Sequence, residues 1–230
     1  MSFSATYNPD ADIPDLSGKV ILVTGATTGL GKQTIITLAK HAPSRIFFTG
    51  RNVDGAKATM EEAKAISPKT ACTYVTADHT SLESRISAAI DRLDIVICNA
   101  GIMGDPAGLS KNGYEVQFSI NYLSHALLIT HLQQKLQDSA ENNGDACIVL
   151  LSSNGFRFTP RGGVVFQDLT TTQENLGMGS KWLRYGQSKL ALVLYAKLLA
   201  RKYPKIRTVA IHPGVVYTGL GNNLPLGDRL

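Results

Sequence analysis

The sequence predicts an α/β fold, a single doubly wound parallel sheet of about six strands with helices on both faces. Three observations carry that prediction. Short apolar runs rich in β-branched residues alternate with longer segments of helical period along most of the chain. The runs are continuously apolar, which marks strands buried on both faces and hence a parallel sheet. The first run ends in a glycine-rich turn that leads into a helix, and right-handed crossovers then wind the chain back and forth across one sheet.

The elements follow in order. Residues 1–18 are polar, hold Pro9, Pro14 and Gly18, and read as an arm ahead of a single domain spanning 19–230. KVILVTG (19–25) is the first strand and 30–41 a helix. RIFFTG (45–50) is the second strand, and 53–66 a helix closed by Ser67-Pro68. ACTYVTAD (71–78) is the third strand and 80–92 a helix. LDIVICNAG (93–101) is the fourth strand, 112–138 a long helix, and ACIVLLSS (146–153) the fifth strand. Residues 154–178 are rich in Gly, Thr and Pro without periodicity, so the region around 154–180 is expected to be a flap. Residues 181–203 form a helix and IRTVAIHPG (206–214) a sixth strand.

Composition narrows the function classes. The net charge of +5 is spread without a Lys/Arg run, which argues against a nucleic-acid partner. Cys72, Cys98 and Cys147 are far apart, so neither a disulfide framework nor a metal site is expected. No run reaches the ~18–20 apolar residues of a membrane span. The N-terminus lacks the basic and apolar regions of a signal peptide. The expectation is a soluble, cytoplasmic protein.

The turn after the first strand reads TGATTGLG, with Gly25, Gly29 and Gly31. Glycine allows tight turning, and missing side chains let a pyrophosphate approach the backbone at a helix N-terminus. A plain strand-to-helix turn is the competing reading, and the placement after the first strand and before a helix is what favours a nucleotide. At the second strand end, where a carboxylate would hold an adenosine 2′-hydroxyl, the chain has Thr49-Gly50-Arg51-Asn52. A guanidinium there suits a 2′-phosphate, and Lys32 adds positive charge. The predicted cofactor is therefore NADP (NADPH). Arg51 as a solvated loop residue is the competing reading.

With these residues in view, the chain resembles the short-chain dehydrogenase/reductases, a Rossmann-type family, over nearly its whole length. It is most similar to the branch of retinol-dehydrogenase-like and fungal reductases. TGATTGLG, CNAG (98–101, Cys98 replacing an Asn), Y-G-Q-S-K (185–189) and HPGVVYT (212–218) carry the resemblance, in order, each at an expected strand or helix end. It implies that Tyr185, Lys189, Ser153 and Asn121 are the catalytic residues. It also implies that Leu30, Asp78 (adenine), Asn99, Val216 and Thr218 (nicotinamide) line the cofactor, and that Asp94 steadies a turn.

Tyr185 and Lys189 are one helical turn apart and share a face. Free tyrosine, with a pKa near ~10, is a poor base. A neighbouring ammonium and an oxidised nicotinamide would both favour the phenolate and make Tyr185 a usable acid/base. Ser153 would donate to the carbonyl oxygen as charge develops, and Asn121 would anchor a water on a proton path to Lys189. His125, His131 and His212 read as structural.

Two features depart from the pattern. Ser153 and Tyr185 are separated by 31 residues, in which Phe156, Phe158 and Phe166 either wall a lipophilic substrate site or belong to the core. The chain ends 12 residues after Thr218, short of the family's substrate-covering segment, which leaves the sixth strand as an edge. The expected function is interconversion of a carbonyl and an alcohol on a lipophilic small molecule, such as a secondary-metabolite intermediate, with homo-oligomerisation left open. The alternative is a non-catalytic NADP-binding or interaction protein that lost turnover with that segment.

Overall fold

The computed structural model describes residues 7–79, 89–216 and 220. It contains six parallel strands in the order β3-β2-β1-β4-β5-β6. These are β1 (Val20–Val23), β2 (Arg45–Gly50), β3 (Ala71–Thr76), β4 (Ile95–Cys98), β5 (Ala146–Leu151) and β6 (Ile206–Ile211). The helices are α1 (Pro9–Asp12), α2 (Gly29–Ala39), α3 (Val53–Ile66), α4 (Val116–Phe118), α5 (Ser124–Asn143) and α6 (Ser180–Lys202). The expected doubly wound sheet is the observed architecture.

The central strand shows why the runs are apolar throughout. Ile21 and Val23 of β1 pack with Ile46 and Phe48 of β2 and with Ile35 of α2, forming one core. Leu22 points the other way, into a second core with Val96, Ile148 and the α5 residues Leu128, Leu132 and Leu136. Side chains alternate across a strand. A strand covered on both sides therefore needs apolar residues at every position, and β1 is apolar throughout.

The chain switches direction across the sheet between β3 and β4. β1 pairs with β2 on one side (Ile21 beside Ile46) and with β4 on the other (Ile21 beside Ile95). A crevice at the carboxyl ends of β1 and β4 is where such sheets receive ligands. Asp94, fully buried, fixes this junction. It accepts from the Val20 amide at 2.8 Å and from Arg92 at 2.9 Å.

Several boundaries differ from expectation, each for a local reason. The strands are shorter: Thr24-Gly25, Asn99–Gly101 and His212–Gly214 already turn into loops. The long helix starts at Val116 rather than 112. Gly113 takes a positive φ of 77°, and the Glu115 carboxylate caps the Phe118 amide at 2.7 Å. It then widens into a π-turn at Ser119–Leu123 and runs on to Asn143, where Gly144 closes it in the left-handed conformation. The flap region holds three short 3₁₀ turns. Of the residues read as an arm, Leu16 is buried in a core, and Asp10 pairs with Lys40 at 2.8 Å. The predicted helix 80–92 falls mostly outside the described residues. Among those described, no helix is long and apolar enough to cross a membrane, and no cluster of His, Cys, Asp and Glu could hold a metal.

Candidate active site

The glycine turn is built by close approach. Gly25 has φ +64°, and a Cβ there would lie 2.7 Å from Ala100 Cα. A Cβ on Gly31 would lie 2.5 Å from the Gly25 carbonyl oxygen and 2.6 Å from Asn99 Nδ2. Asn99 Nδ2 donates to the Thr24 and Gly25 carbonyls, at 2.9 Å each, so Asn99 braces the turn from below. Gly29 opens α2 with φ +57°, and its N-cap Thr28 makes no side-chain cap, which leaves first-turn amides without a side-chain acceptor from that residue. Leu30 is half-buried in that first turn. Gly31→Ala is expected to cost about 1–3 kcal/mol in chemical denaturation, because the obstructing atoms belong to the backbone and to a doubly bonded amide.

The second strand end is polar and open. Arg51 is exposed, next to the Asn52 cap of α3. Lys32 does not stand alone: its ammonium pairs with Glu62 of α3 at 2.8 Å, so part of its charge is shared. Asp78, at the end of β3, pairs with Lys111 at 2.9 Å.

The four residues expected to be catalytic come together at the carboxyl ends of β4 and β5. Lys189 Nζ donates to the Leu151 carbonyl at 2.8 Å and sits 5.5 Å from the Tyr185 ring centroid. Gly101 lies between Asn121 and Lys189, since a Cβ there would be 3.1 Å from Asn121 Oδ1 and 3.6 Å from Lys189 Nζ. Gly155 holds the other flank. Its hypothetical Cβ would meet the Tyr185 ring at 2.7 Å and Ser153 Oγ at 3.4 Å. Ser153 begins the first 3₁₀ turn of the flap, accepts from the Gly155 amide at 3.1 Å and bonds the Tyr185 hydroxyl. Ser152 faces the other way, buried, and donates to the Lys189 carbonyl. The geometry sets Ser153 beside the Tyr185 ring and turns Ser152 away from it.

Asn121 sits in the π-turn, fully buried. Its amide accepts from the Ile102 N–H at 2.8 Å and donates to the Ile102 carbonyl and to Ser188 Oγ. Val216 is exposed beyond β6, and Thr218 lies outside the described residues. Of the flap aromatics, Phe158 and Phe166 are 66% and 73% exposed, so neither is a core residue.

The electrostatics depart from expectation at one point. Burial pushes the Tyr185 phenol above its ordinary value, and only the Ser153 hydrogen bond opposes this. The neighbouring ammonium does not depress it, because burial drives Lys189 itself down to about 8. The lysine is a cation at neutral pH but is poised to lose its proton only slightly above it.

Sequence reasoning gave no role to Thr24, Gln187 or His79, and read His125 as structural, yet all four shape this site. Thr24, buried, receives the Asn99 and Ala100 amides on its hydroxyl. Gln187, buried on α6, accepts from the Val165 amide at 2.7 Å and donates to Gln173 at 2.9 Å, which anchors the flap to the catalytic helix. His79 and His125 lie 5.3 Å apart between ring centroids, tilted by 50°, behind the glycine turn. The position of His125, one turn after Asn121, was the available signal for the last of these.

The model of the short chain dehydrogenase family matches residues 19–165. An uncharacterized oxidoreductase of Schizosaccharomyces pombe is 37% identical over 230 residues, covering 96% of this chain and 66% of that protein. Retinol dehydrogenase 13 of Homo sapiens is 35% identical, covering 90% of this chain and 62% of that protein. A Neurospora crassa oxidoreductase named as mitochondrial is 32% identical, covering 90% and 54%. The chain thus spans about two thirds or less of these relatives, and they lend no support to a cytoplasmic location. Among solved structures, an uncharacterized protein of Mycobacterium paratuberculosis superposes with TM-score 0.74 at 27% identity, covering 93% of this chain and 74% of that one. A Pseudomonas aeruginosa protein solved with NADP superposes at TM-score 0.68 and 24% identity, covering 90% and 76%. A reductase solved with NAD superposes at TM-score 0.69 and 22% identity, covering 88% and 80%.

Proposed function

Because the chain belongs to the short-chain dehydrogenase family of oxidoreductases, we propose that it interconverts a carbonyl and an alcohol on a lipophilic small molecule with NADP(H), using Tyr185 as acid/base. The observation that carries this reading is the convergence of Tyr185, Ser153, Lys189 and Asn121 beside the glycine turn.

The residues fit a dinucleotide. Gly25 and Gly31 stand where any side chain would collide, and α2 begins in glycine without a side-chain cap. Gly25, Gly29, Leu30 and Gly31 would receive the pyrophosphate, Asp78 the adenine, and Asn99, Val216 and Lys189 the nicotinamide half. When bound, the cofactor supplies hydride chemistry. The chain supplies the proton and its path. Tyr185 delivers a proton from its hydroxyl to the substrate oxygen in reduction and recovers it in oxidation. Ser153 donates to the same oxygen as negative charge builds. Lys189, lowered to about 8, can release a proton from its ammonium to re-supply Tyr185 and take one back as the amine. The exposed Phe158, Phe166 and Met178 offer an apolar surface on the flap for the substrate.

Arg51 supports NADP over NAD: it is the exposed cation at the end of β2, where a 2′-phosphate would lie. The test is consumption of NADPH and NADH by the purified chain against a panel of lipophilic aldehydes and ketones. NADPH oxidation is the expected result. In Arg51→Asp, NADPH affinity falls about 10-fold or more while NADH affinity changes little. Binding of NADPH without turnover of any panel member would overturn the enzymatic reading. Equal losses for both dinucleotides would overturn the assignment of Arg51.

A further inference from the structure

Resting on the dinucleotide reading above, we propose that His79 and His125 are positioning residues that lock the two nucleotide-receiving strand ends onto the π-turn of Asn121, each acting as a neutral imidazole protonated on Nδ1.

The protonation states follow from counting donors and acceptors. Thr24 Oγ1 already accepts two backbone amides, Asn99 at 2.9 Å and Ala100 at 3.0 Å. A hydroxyl has two acceptor sites and one proton. The Thr24 proton must therefore go to His125 Nε2, 2.9 Å away. A neutral ring that accepts on Nε2 donates from Nδ1, and His125 Nδ1 lies 2.9 Å from the Asn121 carbonyl. The second histidine repeats the pattern. Ser124 Oγ gives its proton to the Ile120 carbonyl at 2.8 Å, so it can only accept from His79 Nδ1 at 3.1 Å. His79 Nε2 is then the acceptor for Thr49 Oγ1 at 3.4 Å, and Thr49 Oγ1 in turn receives the Gly25 amide at 3.3 Å.

Each histidine thus accepts from a threonine at a strand end. His125 donates directly to the π-turn at the Asn121 carbonyl, and His79 donates to Ser124, the first residue of α5, whose hydroxyl is bonded to the Ile120 carbonyl of the π-turn. The threonines hold the backbone that would receive the dinucleotide: Thr24 at the glycine turn and the Asn99-Ala100 corner, Thr49 beside Arg51. Ser119–Leu123 is the widened segment of the helix, and it places the Asn121 side chain on Ile102 and Ser188. The two rings touch, 5.3 Å between centroids, so the bridges brace one another. Burial holds both rings neutral, His79 at about 4 and His125 at about 3. The charged groups facing them are Asp78 and Arg51 for His79, and Lys189 for His125. A cationic ring could not accept from its threonine, so neutrality is what the bonding pattern requires.

The proposal is tested on the full chain by two measurements. Long-range proton–nitrogen NMR of the ¹⁵N-labelled protein reads the tautomer of each of the five histidines. Two should appear as neutral Nδ1–H rings that stay neutral at pH 6, and each should vanish from the spectrum of its own variant, His79→Gln or His125→Gln, while the other remains. NADPH fluorescence titration then reads the consequence. His125→Phe and His79→Phe keep an aromatic ring but remove both hydrogen bonds. They are expected to weaken NADPH binding about tenfold, beyond any change in melting temperature. Should the Phe variants fail to fold, the Gln variants and the wild-type tautomers decide the matter. An Nε2–H or charged ring at either position, or folded variants that bind NADPH as the parent does, overturns the proposal alone. A parent chain that binds neither NADPH nor NADH ends the dinucleotide reading and the proposal together.

Discussion

Tyr185→Phe is expected to lower NADPH-dependent carbonyl reduction by about 10²–10⁴-fold, the range of a lost general acid. The substitution removes one oxygen and leaves the ring. Gly155 packs against the ring carbons, not the hydroxyl, so the ring should stay seated and the 3₁₀ turn of the flap with it. What disappears is the proton donor and its bond to Ser153. NADPH affinity should therefore change little, and single-turnover kinetics should place the loss in the chemical step. A variant retaining more than about a tenth of the parent rate would remove Tyr185 from the acid/base role.

The second large effect concerns Lys189, and it runs in opposite directions for activity and stability. Lys189→Met is expected to abolish measurable turnover while stabilising the fold at pH 7. Burial lowers Lys189 from 10.5 to about 8, so below pH 8 the folded chain carries a desolvated cation that the unfolded chain solvates freely. That shift corresponds to about 3 kcal/mol of destabilisation, an upper figure because Met also forfeits the bond to the Leu151 carbonyl. The sign fixes the pH window. Between about 8 and 10.5 the unfolded state binds the proton that the folded state has released, so this residue's contribution to stability rises with pH. The advantage of the Met variant should be greatest at or below pH 7 and should shrink steadily through that interval. Urea melts of both proteins from pH 6 to 10 measure it. A difference that does not vary with pH would mean that Lys189 is not a desolvated cation in the folded chain.

The sheet was readable from the sequence because its cause is local. Strands buried on both faces must be apolar at each position, and β1, β2 and β4 advertise that in runs such as VILV, IFF and IVIC. The glycine turn was readable because a backbone approach within 3 Å leaves no substitute for glycine. The π-turn was not readable. Its widened geometry is set by tertiary bonds from Asn121 to Ile102 and Ser188, residues distant in the chain. The start of the long helix was missed by four residues because Glu115 is an uncommon cap that reaches its amide only after Gly113 has turned the chain. The four clustered side chains were legible as motifs. The state of Lys189 was not, because a sequence gives the neighbour of a charge but not the water around it. The histidine pair was illegible for a similar reason. A histidine looks the same on paper whether it fills space or ties a strand end to a helix.

The junction at Asp94 bears on how the chain assembles. Its carboxylate meets the amide of Val20 across 74 residues, and β1 has no partner on that side until β4 arrives. The sub-assembly of β1 to β3 joins neighbours in sequence, whereas the central seam must wait for a long excursion to close. Late closure of a parallel seam makes for slow refolding and leaves half-formed sheet exposed meanwhile. The loops on both lips of that seam are complete only once it has closed, so any ligand that spans them would stabilise the finished molecule over its intermediates.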